Sequence, residues 1–495
     1  MTIHLSIVLF LPLVTGLLGA FLPREQARWA VLAGSVAVLA YVVVLLIDFE
    51  PGGGLQYVTD DKWIPELGIR YQLGIDGLNL FMVALTAIAW VPCTLVAALR
   101  QHDRPRFFFF NLALAETAVL GAFMAQDLAL FIVFFDLMLV PFYFMIGGWG
   151  TGDRVRATTK FMIYTLAGSL LMLAAAIALG VLSTPDGGEI SFSLVDLQRR
   201  SVSGGTQDWI VLLFALAFFV KAPLFPLHGW VPETYRSSPT VTIALLSAVL
   251  SKVGVYGFLR IVLPIMPEGA QHWQELFIIV AVFSILYGSI LAFSQDNMRL
   301  VVAYSSIAQL GFIVLGIFAF DEKGAQGAVL QMLNHGLVVV PLFLIIGVIA
   351  ARAGGSESLS ELGGMAFRAP LLATLFLIVT FATLAMPGSA NFVGELLILF
   401  GSFEDKFVYG LVASAGVVLA AVYMIRLFQR TMHNRPGPAV ESREIDGLNL
   451  MAVAPLVAVI VVLGVYPNFV VHRTEKATSA SIQEASAGAP QVAER

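Results

Sequence analysis

The chain has 495 residues, of which 58% are hydrophobic and 12% charged, with a net charge of −5 and a mean hydropathy of +0.87. A soluble protein of this size is about 25% charged and about 45–50% apolar, so a soluble enzyme and a nucleic-acid binder are excluded. A single cysteine, Cys93, lies in an apolar run, which excludes a disulfide scaffold and a thiolate-held iron–sulfur cluster.

A helix crossing the hydrocarbon layer needs about 20 apolar residues. Fourteen such runs follow one another: 5–21, 29–46, 78–99, 107–124, 128–149, 161–182, 209–227, 241–263, 276–293, 300–320, 325–351, 370–400, 407–427 and 450–471. The expected fold is an all-α polytopic membrane protein. A transmembrane barrel would show short alternating segments instead. The first run has no cationic region before it and no cleavage site after it, so it reads as a retained helix. The loop 183–208 carries a short alternating stretch at 190–194 and is expected to form a small hairpin. The polar segment 473–495 is expected to be a disordered tail.

Loop charge gives the orientation. The connections 23–28, 100–106, 153–160, 233–240, 295–299, 352–369 and 426–449 carry more Lys and Arg than Asp and Glu, and the opposite set carries the reverse. The first set is therefore cytoplasmic. Both termini then face outward, across a bacterial inner membrane.

Setting the loop charges aside leaves Lys221, Lys252, Glu116, Asp136 and Glu395 inside apolar runs. Each charge costs about 2.5–3.5 kcal/mol at the centre of a membrane helix, so each must be paired, face the interior or change protonation. Lys221 lies deep in its run, just before Pro223 and Pro226, and snorkelling to an interface requires a position near a helix end. Burial disfavours an ammonium, and a nearby carboxylate such as Asp136 favours it. Varying that influence would load and eject a proton, whereas a static pair would only fix packing. His335, mid-way along the eleventh run, suits proton relay. Glu395 reads as a proton exit or a partly solvated carboxylate. Glu116 and His228 are secondary candidates. No spacing fits a metal site, and no GxGxxG or GxxxxGK is present, so any redox cofactor belongs to another chain.

The seventh and twelfth runs are both interrupted by proline, at Pro223 and Pro387. They are five runs apart, and an odd offset inverts the second copy. Interrupted segments at corresponding places in two halves point to a transport site between inverted repeats. The expected division is three leading helices over 1–100, a five-helix unit over 101–263, an inverted five-helix unit over 264–430, a last helix within 431–472, and the tail.

The segments FFVKAPLFPLHGWVP (218–232) and LSKVGVYG (250–257) resemble the antiporter-like subunits of proton-translocating NADH:quinone oxidoreductase, respiratory complex I. MPGSANFVGELLILFGSF (386–403), FFDLMLVPFYFMIGGWG (134–150), YSSIAQLGF (304–312) and GIDGLNL (74–80) are most similar to its M-type members. The resemblance implies fourteen helices with two inverted five-helix units. It places the family's functional acid on Asp136, the broken-helix lysine on Lys221, the central lysine on Lys252, the histidine on His335 and the distal residue on Glu395. A glutamate at the distal position marks the M type, where related subunits and cation/proton antiporters carry lysine. Two positions depart from the pattern: Asp136 stands where Glu is usual, and Gln309 where His is frequent. The shorter acid implies a longer or water-bridged contact with Lys221. Gln309 cannot titrate.

The resemblance implies a non-redox, proton-translocating subunit of the membrane arm. Its partners are other antiporter-like subunits and the lipid bilayer. NADH, flavin, iron–sulfur clusters and quinone are expected in partner subunits. Lys221 would take a proton from the cytoplasmic side, Lys252 and His335 relay it, and Glu395 release it. A Na⁺/H⁺ antiporter subunit and a membrane-bound hydrogenase subunit are the alternatives.

Overall fold

The computed structural model describes residues 4–200 and 202–487. Among them, twelve helices are long and apolar enough to cross a membrane, and Leu5–Phe21 and Pro370–Thr383 are shorter apolar helices. This tally is compatible with the fourteen runs. The run at 370–400 divides into Pro370–Thr383 and Ala390–Asp405, and the one at 209–227 ends as a helix at Lys221.

The helices form a bundle with an enclosed centre. Thr240–Ile265, Met298–Phe318 and Glu322–Arg352 are buried on nearly all sides, whereas Arg24–Asp48, Phe407–Met432 and Gly447–Val465 expose much of their apolar surface. Ile163, Val418 and Val462 are exposed on the periphery, as expected where the solvent is lipid. The central helices are apolar all round because they touch other helices on every face.

A small sheet caps one end. Strand β1 (Gln56–Ile64) pairs antiparallel with β2 (Ile69–Ile75), with Lys62 opposite Arg70 and Thr59 opposite Leu73. Gly68, at φ +66°, supplies the left-handed residue of the turn. The hairpin therefore lies in the 48–76 loop and not, as expected, at 190–194. Residues there act as a clamp: Phe192 N–H donates to Gly68 O at 3.3 Å and Phe192 O accepts from Leu128 N–H at 2.7 Å. The chain then enters the helix Leu194–Arg199. Ser191 to Leu194 are all buried and only Ile190 is exposed, so the alternating sequence is not matched by alternating burial.

The expectation of disorder from 473 is also corrected. Asn468–Ala487 is one helix, and 488–495 lie outside the described residues. Val470, Thr474, Thr478, Ile482 and Ala485 are buried along it, a helical stripe of three- and four-residue steps. Thr474 accepts from Gln326 Nε2 at 2.5 Å, and Ala485 O accepts from Gln271 Nε2 at 2.8 Å. Thr474, Thr478 and Ala485 make up most of the stripe beyond 473, where Ile482 is the one large apolar member, so the composition reads as unfolded although the geometry packs.

Candidate proton-relay site

The first helix break positions Lys221. Pro223 lacks an N–H and disfavours helical geometry at Ala222, so Gly204–Lys221 stops and the chain resumes as Val231–Ser237. The carbonyl of Val220 accepts from the Trp230 indole at 3.0 Å, which satisfies an orphaned helix end. Lys221 is 1% exposed. Its Nζ donates to Phe135 O at 3.1 Å and lies 4.1 Å from the centre of the Phe135 ring, a cation–π contact.

Asp136 stands next to that acceptor in sequence but makes no direct ion pair with Lys221 among the described residues. It accepts from the Ser169 hydroxyl instead. The absence of a direct contact is in keeping with the shorter acid. Ser169 is a partner that the sequence reading missed.

Lys252 and His335 are brought into contact. Lys252 Nζ lies 2.9 Å from His335 Nδ1, 2.7 Å from Ser247 O and 3.3 Å from Ser251 Oγ. Three acceptors match the three donors of an ammonium. With Lys252 protonated, His335 Nδ1 accepts and the imidazole proton sits on Nε2. Lys252 sits between two widened π turns, Leu246–Leu250 and Phe258–Val262. Such turns recur at functional sites, and here they displace the backbone register around the lysine. Two glycines set the approach. A Cβ on Gly336 would fall 2.8 Å from Ala248 O, and one on Gly254 would fall 2.7 Å from Phe218 O. The first seats the eleventh span against the eighth, and the second seats the eighth against the break at Lys221.

Glu395 follows the second break, where Ala385 (φ +55°) and Gly388 (φ +90°) turn the chain beside Pro387. It is 3% exposed, so of the two readings, a proton exit or a partly solvated carboxylate, the second does not fit. Its Oε1 accepts from Gln309 Nε2 at 2.8 Å, and Gln331 Nε2 donates to Gln309 Oε1 at 2.6 Å. Gln309 thus orients the carboxylate. Gln331, unrecognised in the sequence, is one turn from His335 on the same helix face.

The secondary candidates lie apart. Glu116 is fully buried and accepts from Ser35 Oγ at 2.7 Å, facing the leading helices. His228 is buried among Phe225, Tyr287 and Tyr304.

Arg260 is a charge that the subtraction overlooks. It lies inside Thr240–Ile265, is 8% exposed, and grips Asp76 with two hydrogen bonds of 2.7 and 2.6 Å. Its Nε donates to Tyr256 Oη at 2.8 Å. Counting it with the outer loop hides it, since it stands near the end of its run.

Residues 125–422 match the family model described as NADH:quinone oxidoreductase/Mrp antiporter, TM. The chain is 36% identical over 486 residues to NADH-quinone oxidoreductase subunit M of Rhodobacter capsulatus, covering 94% of each. It is 38% identical over 511 residues to the protein of that name from Mycobacterium tuberculosis, covering 94% of this chain and 91% of that one. A chain of respiratory complex I from Thermus thermophilus with bound NADH superposes with a TM-score of 0.90 at 30% identity, over 97% of this chain and all of that one. The Mrp complex from Dietzia sp. DQ12-45-1b shares the fold, with a TM-score of 0.85 at 22% identity over 97% of this chain and 99% of that one.

Proposed function

The chain belongs to the NADH:quinone oxidoreductase/Mrp antiporter membrane-subunit family, and on that premise we propose that it is the M-type proton-translocating subunit of a bacterial complex I membrane arm. The observation that carries this reading is the 2.9 Å hydrogen bond between the central lysine, Lys252, and His335 of the eleventh span, two buried ionisable groups brought together across 83 residues of chain. Lys221 accepts a proton from the cytoplasmic side, and the Asp136 carboxylate favours its charged form. The charge passes to Lys252, and His335 takes a proton on Nδ1 and yields the one on Nε2. Glu395 receives it and releases it outward. Electron transfer from NADH to quinone takes place on partner subunits, which hold the flavin and iron–sulfur clusters. Both termini face outward from the inner membrane.

Replacing Lys221 by Met tests the reading. In the assembled complex, reconstituted in vesicles, Lys221→Met should abolish this subunit's contribution to proton uptake while assembly persists. An assembled variant that pumps at the wild-type ratio of protons to NADH would overturn it.

A further inference from the structure

Glu322–Arg352 and Ala390–Asp405 pack antiparallel along one seam. Asn334 Nδ2 donates to Ala390 O at 2.7 Å. A Cβ on Gly394 would fall 2.5 Å from Gln331 Oε1, and one on Gly327 would fall 2.6 Å from Ile398 N. His335 is therefore level with the first turn of the second helix, and Gln331 with Glu395.

Buried polar atoms in a protein interior are almost always hydrogen-bonded. This seam departs from that rule. His335 Nε2, Asn334 Oδ1, Gln331 Oε1, Glu395 Oε2 and both side-chain atoms of Asn391 have no protein partner among the described residues. Asn391 is 0% exposed and stands four residues before Glu395, on the same helix face. A buried group without a partner costs about 1–3 kcal/mol, and an apolar residue would pack there without that cost. Stability alone does not explain an amide at this point.

Taking the His335-to-Glu395 transfer from the translocation reading above, on which the inference rests, we infer that Asn391 is the positioning residue at the middle of the polar seam, the passage that the proton crosses. An amide both donates and accepts but does not titrate, so Asn391 holds a hydrogen-bonded chain in line without storing the proton. The balance is one proton gained at His335 Nδ1, one lost from Nε2 and one gained at Glu395 Oε2. Asn334 and Gln331 flank the same passage.

The test uses the whole complex reconstituted in vesicles, measuring protons moved per NADH oxidised and the solvent deuterium isotope effect on that flux. Asn391→Leu should assemble, lower the ratio to that of Glu395→Gln and raise the isotope effect. Asn391→Ser, which keeps a donor and an acceptor, should restore the ratio in part. Should Asn391→Leu fail to assemble, Asn391→Ala read by the isotope effect decides. A wild-type ratio and isotope effect in Asn391→Leu or Asn391→Ala overturn the inference. So does an equal loss in the Leu and Ser variants with no change in isotope effect, which marks packing alone. If Glu395→Gln also keeps the wild-type ratio, the translocation reading fails as well. If Glu395→Gln loses it and Asn391→Leu does not, the passage alone fails.

Discussion

Lys252 Nζ and His335 Nδ1 are 2.9 Å apart, although 83 residues separate the two in the chain. Removing either partner leaves the other buried without its mate. His335→Leu withdraws one acceptor from a fully enclosed ammonium and should destabilise the protein by about 1–3 kcal/mol. Thermal unfolding of the purified subunit complex in detergent measures this. His335→Leu and Lys252→Met should also be non-additive in a double-mutant cycle. Additive losses would mean that the contact does not couple them.

The Asp76–Arg260 clasp ties the end of the hairpin loop to the eighth span. Burial alone would push the Asp76 carboxyl up, but the Arg260 charge and hydrogen bonds from Arg260, Leu78 N–H and Asn79 N–H hold it below its usual value. The stability from this depression is complete above the unfolded value, about 3.9, and fades as pH falls through the lower folded value. Asp76→Asn leaves a buried guanidinium unpaired, which costs about 3–5 kcal/mol for such a pair. The melting-temperature gap between wild type and Asp76→Asn should be constant from pH 8 to 5 and narrow only in strong acid.

Asp127 shows the opposite sign. It caps the helix Leu128–Leu137 through Leu130 N–H at 3.0 Å and accepts from Arg70 N–H at 3.2 Å, and burial raises its carboxyl to about 6. A raised acid binds its proton better when folded, so stability falls as pH climbs from about 4 to about 6 and is level above. Asparagine caps helices as well as aspartate does. Asp127→Asn should therefore erase this slope and be neutral to stabilising, by about 1–2 kcal/mol, at pH 7. A marked loss of stability at that pH would show that the charged form is the one the fold needs.

Gly336 has no room for a side chain, since a Cβ would meet Leu85 at 2.5 Å and Ala248 O at 2.8 Å. Gly336→Val should part the eighth and eleventh spans and cost about 1–3 kcal/mol through overpacking. Because the displaced residues carry the Lys252–His335 contact, proton pumping should fall further than the loss of assembled complex explains. Pumping that tracks assembly in proportion would separate the two effects.

Asp136, Lys221, Lys252 and Glu395 are legible in the sequence because an ionisable residue in an apolar run has no cheap explanation. Lys221 is marked twice, by its charge and by the prolines after it. The contact between Lys252 and His335 is not legible, since it depends on how closely two helices approach at Gly336 and on π turns that no residue pattern announces. Arg260 is missed because loop counting assigns a charge near a helix end to the loop. The last helix is missed because Thr474 and Thr478 bury themselves by hydrogen bonding to their own preceding turns, Thr474 to Val470 O at 3.1 Å and Thr478 to Thr474 O at 2.9 Å. Composition scales count those hydroxyls as a reason to stay in water.

The three acceptors around Lys252 are not chemically alike. A backbone carbonyl and a serine hydroxyl can hold a hydrogen bond but are far too weakly basic to keep a proton, whereas imidazole can. Of the bonds to Lys252 Nζ, one leads to a group able to hold a proton, and that group lies 83 residues further along the chain. A proton given up by Lys252 would have, among its three hydrogen-bond partners, only the imidazole to go to.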